Sequence, residues 1–319
     1  MRECIAITGA AGFVGSHLTD WYLSQGKRVV GLDDFSRGTR ANLASALEND
    51  NFRLVEVDLA VPQAEADWGL DGVTELWHLA ANSDIPAGTA DPVIDRNATF
   101  LTTCHALELV QRFSIPKLCF ASSSAVYGDL RTTLHEDSGP LWPISNYGAM
   151  KLASEAAISA AVETAGFRAH IFRFPNVVGS RATHGILYDL IGRILRGATE
   201  LEVLGDGSQR KQYLHVSDLL PAMLHISEHA SEPRNCFHIG PSDDGITVSE
   251  IVDAIVAECA PGLPVRYSGG QRGWVGDVPH FRYSVARLEA LGWAASMTSQ
   301  QAIERAVREV HAEMAGRCR

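Results

Sequence analysis

The chain has 319 residues, 46% of them hydrophobic and 20% charged, which suits one large α/β unit with a smaller lobe attached. Its formal net charge of −11 argues against nucleic acid and anionic membrane as partners. A phosphate-bearing ligand must therefore be met by local basic residues and helix N-termini.

Residues 3–8 form a short apolar run ending at Gly9, the pattern of a buried parallel strand. A helical pattern follows over 14–24, and a second strand pattern over 27–32 ends at Asp33-Asp34. Further strands are predicted at 53–58, 74–80, 117–122 and 168–174, with long amphipathic or helical stretches at 95–113 and 147–165. Strands alternating with helices imply right-handed crossovers, hence a Rossmann-type, doubly wound parallel sheet of the α/β class. After about residue 175 glycine and proline become frequent. The expected division is a dinucleotide-binding domain over 1–174, rejoined by parts of 212–240, and a smaller substrate-binding lobe over 175–319. Six scattered cysteines without a CxxC pair, and twelve histidines without metal spacing, predict reduced thiols and no metal site. No signal peptide is visible, and no run reaches the roughly 18 apolar residues that span a bilayer. A cytoplasmic protein is expected.

Gly9, Gly12 and Gly15 lie between the first strand and the first helix. Such glycines allow a tight turn and let a pyrophosphate approach the backbone at a helix N-terminus. Asp33 follows about 20 residues on, where an acid can take the adenosine ribose hydroxyls of a dinucleotide. That carboxylate favours NAD over NADP. Arg37 and Arg40 are the competing signal: they could hold a 2′-phosphate, or lie in a solvated loop. Asp58, after the third strand, is placed to meet adenine or to serve as a surface turn.

Tyr147 and Lys151 stand four apart on one helical face. An ammonium beside a phenol lowers the phenol pKa and lets it act as a base. The serine cluster Ser122-Ser123-Ser124 ends the strand before that helix, at the sheet edge where open α/β folds hold ligands. A serine there can hydrogen-bond the hydroxyl being oxidised; the competing reading is a polar turn.

The motifs TGAAGFVGSH (Thr8–His17), HLAA (His78–Ala81), SSSAVYG (Ser122–Gly128), YGAMK (Tyr147–Lys151), RFPNVVG (Arg173–Gly179) and GDGSQRKQYLHVSD (Gly205–Asp218) span most of the chain. In combination they resemble the extended short-chain dehydrogenase/reductases of the UDP-glucose 4-epimerase and nucleotide-sugar dehydratase group. The resemblance implies Tyr147 as base, Lys151 as its partner and Ser123 as the catalytic hydroxyl. It implies NAD contacts from Phe13, Val14, Leu59, Leu79, Ala80, Ala81, Asn97, Ser122 and Phe174, beside the glycines, Asp33, Asp58, Tyr147 and Lys151. Substrate contacts are implied for Ser83, Ser123, Ser124, Tyr147, Asn176, Lys211 and Arg272. Two positions depart from the family pattern: Gln212 stands where an aspartate is frequent, and Trp274 where an arginine often precedes Gly276-Asp277.

Epimerases and dehydratases of this group both begin by removing hydride from C4 of the sugar. The 4,6-dehydratases usually carry an acidic pair after the catalytic hydroxyl residue; here those positions are Ser124 and Ala125. The expectation is an NAD-dependent UDP-sugar 4-epimerase. A dehydratase, a UDP-uronic acid decarboxylase and an inactive dinucleotide-sensing regulator are the alternatives. Asp84 is an open position, an unusual acid or base or a loop residue. The family resemblance also implies a homodimer through the helices at 95–113 and 147–165, the second rich in alanine.

Overall fold

Seven largely apolar runs become the strands of one sheet: β1 (Cys4–Thr8), β2 (Arg28–Asp33), β3 (Phe52–Glu56), β4 (Val73–His78), β5 (Lys117–Ser123), β6 (Arg168–Phe174) and β7 (Arg234–His238). The computed structural model describes residues 3–62, 68–130, 132–270 and 282–317. The strand order is β7-β6-β5-β4-β1-β2-β3, and β1 runs parallel to both β2 and β4. The chain order reverses between β1 and β4, the kind of switch point beside which ligands bind in open α/β sheets. All five residues of β1 are buried, as a strand covered on both faces requires.

This sheet lies in the first of two compact units, made of Met1–Val126, Ser145–Arg173 and Ile226–Phe237. Helix α1 (Phe13–Ser24) follows β1 directly. The helical stretch expected at 95–113 is present but not uniform. A π-helical turn over Arg96–Leu101 precedes α2 (Thr102–Arg112). Threonine hydroxyls explain part of this, since Thr102 and Thr103 both donate to the Thr99 carbonyl, at 3.0 and 2.9 Å, and compete with the backbone ladder.

Helix α3 (Asn146–Ala165) is capped at its start by Ser145, whose Oγ accepts the Gly148 N–H at 3.1 Å. Its buried face runs Gly148, Lys151, Ser154, Glu155, Ile158 and Val162, at spacings of three and four. The far end of that face is ordinary core: Ile158 and Val162 pack with Leu118, Phe120 and Leu109. The near end is polar, and that asymmetry places the chemistry.

One buried hydrogen-bond chain links the sheet to both helices. Thr8 Oγ1 accepts the N–H groups of Leu79 and Ala80, so its own proton goes to His78 Nδ1, 2.8 Å away. His78 then carries its proton on Nε2 and donates to Thr103 Oγ1 at 3.1 Å, which also accepts from Ser154 at 2.9 Å.

The second unit comprises Tyr127–Ile144, Phe174–His225 and His238–Arg319. Its core is built by helices at Ile186–Leu195, Val248–Cys259 and Ser299–Arg317, through Ile191, Ile251, Ile255, Ile303 and Val307. Residues 213–215, expected to rejoin the first domain, pair instead with Asn176–Val178 in a separate two-stranded sheet. Pro175 explains the break: it lacks an N–H and ends the β6 ladder just before that strand. Cys236 and Phe237 lie in β7 at the sheet edge, and His238 onward belongs to the second unit. Among the described residues no helix is long and apolar enough to cross a membrane.

Two buried histidines set the acid limit of the first unit. Burial, and then the charge of Lys151, push His78 down to about 3. Burial, and then Lys117 and Arg168, push His170 down to about 3 as well. Their folded pKa values lie below the unfolded value, so this stability is present above about pH 6.5 and lost as pH falls towards 3. Denaturant unfolding is expected to show a loss of about 3 kcal/mol from these two groups between pH 7.5 and 5.5. His170→Leu should halve that slope.

Candidate active site

The loop joining β1 to α1 satisfies its own N–H groups, Gly9 and Ala10 on the Leu32 carbonyl, Ala11 on Asp33 and Gly12 on the Gly9 carbonyl, and leaves the first turn of α1 without a capping side chain. Gly12 caps α1 and offers no side chain to take the first-turn donors. A Cβ on Gly15 would lie 2.0 Å from the Gly9 carbonyl, so only glycine fits there. The turn and the helix N-terminus together suit a pyrophosphate.

Asp33 ends β2 beside this loop and is nearly buried. Its carboxylate accepts the N–H of Ala11 and of Phe35, each at 2.8 Å. Burial pushes its carboxyl up, and those two N–H groups oppose the shift. The two nearby arginines are engaged elsewhere. Arg37 donates to Asp84 and to Asn82, each at 3.2 Å, and Arg40 pairs with Glu56 while lying over the Phe35 ring. An acid is held where the ribose belongs, and both arginines are bound to acids; these residues fit NAD.

The remaining predicted cofactor positions fall into three groups. Phe13 and Val14 open α1, and Leu79, Ala80 and Ala81 follow β4 beside the glycine turn. Asn97 lies in the π-helical turn, where it accepts Arg96 Nε at 3.0 Å. Asp58 is exposed and Leu59 buried. Asp58 Oδ1 takes the Ala60 N–H at 2.7 Å, a turn contact, and Leu59 joins the core. Phe174 is the last residue of β6.

The start of α3 meets the end of β5. Lys151 is 2% exposed, and its Nζ donates to the Ala121 carbonyl at 2.6 Å. That ammonium lies 4.7 Å from the Phe120 ring centre and 5.8 Å from the Tyr147 ring centre. Ser123 Oγ accepts the Ala125 N–H at 3.2 Å, which leaves its own proton for the hydrogen bond it shares with Tyr147. A Cβ on Gly148 would lie 2.3 Å from the Ala125 carbonyl, so helix and strand end meet with no side chain between them. Ser124 follows in a short 3₁₀ turn, Ser124–Tyr127. Ser122 turns its hydroxyl inward to Glu155, so only its backbone is left to meet a ligand.

The electrostatics run against the sequence expectation of a lowered phenol. Enclosure pushes Tyr147 up to about 12; the Ser123 hydrogen bond opposes this, and the Asp95 charge adds to it. Burial pushes Lys151 down to about 7, with Glu155 and then Asp95 opposing. For both groups desolvation outweighs the contacts that oppose it, Ser123 for Tyr147 and Glu155 with Asp95 for Lys151.

Sequence reasoning passed over Asp95, which is fully buried, accepts Asn82 Nδ2 at 2.7 Å and has its pKa raised chiefly by burial. No local pattern marks it. Ser83 lies in the same loop, between Asn82 and Asp84. Asp84 is a helix cap: its Oδ1 accepts the Ala87 N–H at 2.9 Å while Oδ2 pairs with Arg37.

In the second unit the register sets Asn176 opposite Tyr213, which follows Lys211 and Gln212 in the chain. Asn176 is exposed. Gln212 is buried: its amide donates to the carbonyls of Pro241 and Asp243, and its oxygen accepts the Tyr283 N–H. It therefore knits loops together and offers no group to a ligand. Arg272 and Trp274 lie outside the described residues. Among the described residues no group of three or more His, Cys, Asp or Glu is placed to hold a metal ion.

A parallel sheet with a glycine turn leading into an uncapped helix N-terminus, an acid at the end of its second strand and a half-buried tyrosine one turn from a buried lysine defines a dinucleotide-binding protein of the Rossmann class. Residues 5–240 match the NAD dependent epimerase/dehydratase family. The chain belongs to that family, and NAD is its cofactor. It is 27% identical over 308 residues to a putative UDP-glucose 4-epimerase of Methanocaldococcus jannaschii, covering 95% of this chain and 97% of that one. It is 30% identical over 244 residues to UDP-glucuronic acid decarboxylase 1 of Danio rerio, covering 73% of this chain and 56% of that one. A crystal structure of UDP-galactose 4-epimerase superposes with a TM-score of 0.84 at 31% identity, covering 98% and 99% of the two chains.

Gly15→Ala forces a methyl group into the Gly9 carbonyl and must distort the turn. NAD affinity measured by fluorescence titration is expected to fall by about tenfold or more, with the sheet's circular dichroism intact.

Proposed function

We propose that this chain is a cytoplasmic, NAD-dependent 4-epimerase of nucleotide sugars, with a UDP-sugar as substrate and a 4-keto sugar as intermediate. One observation carries the reading: Ser123, Tyr147 and Lys151 converge where β5 ends and α3 begins. In this reading Ser123 receives the sugar C4 hydroxyl, and Tyr147 takes its proton as C4 gives up hydride. Lys151 fixes the phenol and contributes positive charge. When bound, NAD would supply the hydride acceptor and donor for C4, and its oxidised ring would add a positive charge that favours the phenolate. That charge matters, because the protein's own groups hold the phenol at about 12.

A dehydratase must also move a C5 proton and protonate the leaving C6 oxygen. Ser124 and Ala125 bring no acid to that task, and Asp84 is tied up as a cap and ion pair. These features favour epimerisation. Asn176, Lys211 and Arg272 are the groups we assign to the nucleotide diphosphate, with the second unit as the substrate lobe. The alanines of α3 support a homodimer: Ala156 and Ala160 are exposed one turn apart, so a second α3 can approach closely. A single sedimenting species of monomer mass at micromolar concentration would exclude the dimer.

Incubation with UDP-, dTDP- and GDP-sugars, read by NMR and mass spectrometry, tests the reaction. Inverted C4 with unchanged mass is expected from a UDP-sugar. Loss of water would mean a dehydratase, loss of CO₂ a decarboxylase, and bound cofactor without turnover a regulatory protein. Tyr147→Phe is expected to lower kcat by about 10²–10⁴-fold while sparing NAD affinity. Near-normal turnover in that variant would remove Tyr147 as the base.

A further inference from the structure

Three consecutive residues at the end of β5 each bond to α3, and their partners stand one helical turn apart. Ser123 bonds Tyr147, the Ala121 carbonyl accepts Lys151 Nζ, and Ser122 Oγ donates to Glu155 Oε1. The first two contacts belong to the proposed reaction. The third leads away from it: Arg173, near the end of β6, grips the same carboxylate, with Nε 2.9 Å from Oε1 and Nη2 on Oε2. Both side chains of this pair are only 8% exposed.

A buried ion pair is a poor source of net stability, because desolvating two charges offsets most of their attraction. What it does supply is direction. A forked guanidinium holds a carboxylate in one plane and at one distance. Here that carboxylate sits on the helix that carries Tyr147 and Lys151, and its third bond goes to the strand residue between Ala121 and Ser123. The glycine contact of Gly148 with Ala125 leaves little slack in the same junction.

We propose that Glu155, clamped by Arg173 and Ser122, is a positioning residue that sets the register of α3 on β5 and so holds Tyr147 and Lys151 against Ser123. It touches neither substrate nor cofactor. The inference rests on the proposed function for its kinetic consequence, though not for its geometry.

Glu155→Gln, Ser122→Ala and the double variant Glu155→Leu/Arg173→Met test it, alongside the wild type with its UDP-sugar. The double variant leaves no unpaired buried charge and keeps the packing volume. Because a misplacement of about 1 Å costs on the order of 100-fold in rate, kcat is expected to fall about 30-fold or more in Glu155→Gln and in the double variant. Ser122→Ala should lose about tenfold, while KM and NAD affinity change less than about threefold in all three. Glu155→Asp, one methylene short, should recover only part of the loss. A folded double variant, or Ser122→Ala, with kcat within about threefold of wild type would overturn the proposal, since a purely structural pair would lower Tm and leave kcat alone.

A second readout needs no substrate. The Lys151 side chain, followed by NMR in the protein as purified, should titrate at lower pH in Glu155→Gln than in wild type, since the carboxylate that favours its charge is gone. An unchanged midpoint would mean that Glu155 does not act on Lys151 from this position. A wild type that turns over no nucleotide sugar, with the shift present, would sink the proposed reaction and leave the clamp standing.

Discussion

The first unit is organised around one buried ammonium. Lys151 is cut off from water, and a lysine in that position loses its charge unless the surroundings restore part of the hydration it gave up. The Ala121 carbonyl, the Phe120 ring, Glu155 and Asp95 are the groups that do so. Each fixes something else in turn. The carbonyl must come from the last strand residues before the chain turns at Ser124. Glu155 must be one turn further along α3. The ammonium also helps keep His78 neutral, and only a neutral imidazole with its proton on Nε2 completes the run from Thr8 to Thr103 and Ser154. That run ends on the strand that leads into the glycine turn. One charge therefore reaches from the helix of the proposed base to the loop that suits the pyrophosphate.

Much of this was legible in the sequence, for a physical reason. Strands and helices announce themselves by local periodicity, and the glycine triplet and the Tyr-Lys spacing are local too. The parallel sheet follows from alternation alone. What the sequence hid was non-local. The direction of the Tyr147 shift depends on how much atomic bulk encloses the phenol and on Asp95, 52 positions earlier by subtraction of residue numbers. Glu155 is visible as a carboxylate four after the lysine, but nothing local says that Arg173 will meet it. The π-helical turn at Arg96–Leu101 is accompanied by threonine hydroxyls bonding the Thr99 carbonyl, residues that a helix tally counts as mildly unfavourable and no more. Residues 213–215 pair with Asn176–Val178, just past Pro175, a partner that no local pattern announces.

The second unit shows how a motif can keep its shape while a member changes its work. Gln212 replaces an acid with an amide that both donates and accepts. It uses all of that capacity on the backbone at Pro241, Asp243 and Tyr283. Asp218, at the end of the same motif, is equally committed: it accepts the N–H groups of Ser296 and Met297 and the Ser296 hydroxyl. These residues brace the unit from within. Lys211 precedes Gln212 on a short strand paired with Ile246–Thr247, and Asn176 lies opposite Tyr213 in the neighbouring two-stranded sheet.

The Arg37 bridge to Asp84 and Asn82 has an evolutionary consequence. Proteins of this architecture can exchange one nicotinamide coenzyme for its phosphorylated counterpart when an acid is lost and a nearby cation is recruited. In this chain the Arg37 guanidinium is already engaged by Asp84, which caps the helix Ile85–Ala90. Losing Asp33 alone would leave the newcomer's extra anion without a counterpart, and freeing Arg37 would break its bonds to Asp84 and Asn82. The coenzyme preference thus involves two positions, an acid at the end of one strand and a cation already engaged elsewhere.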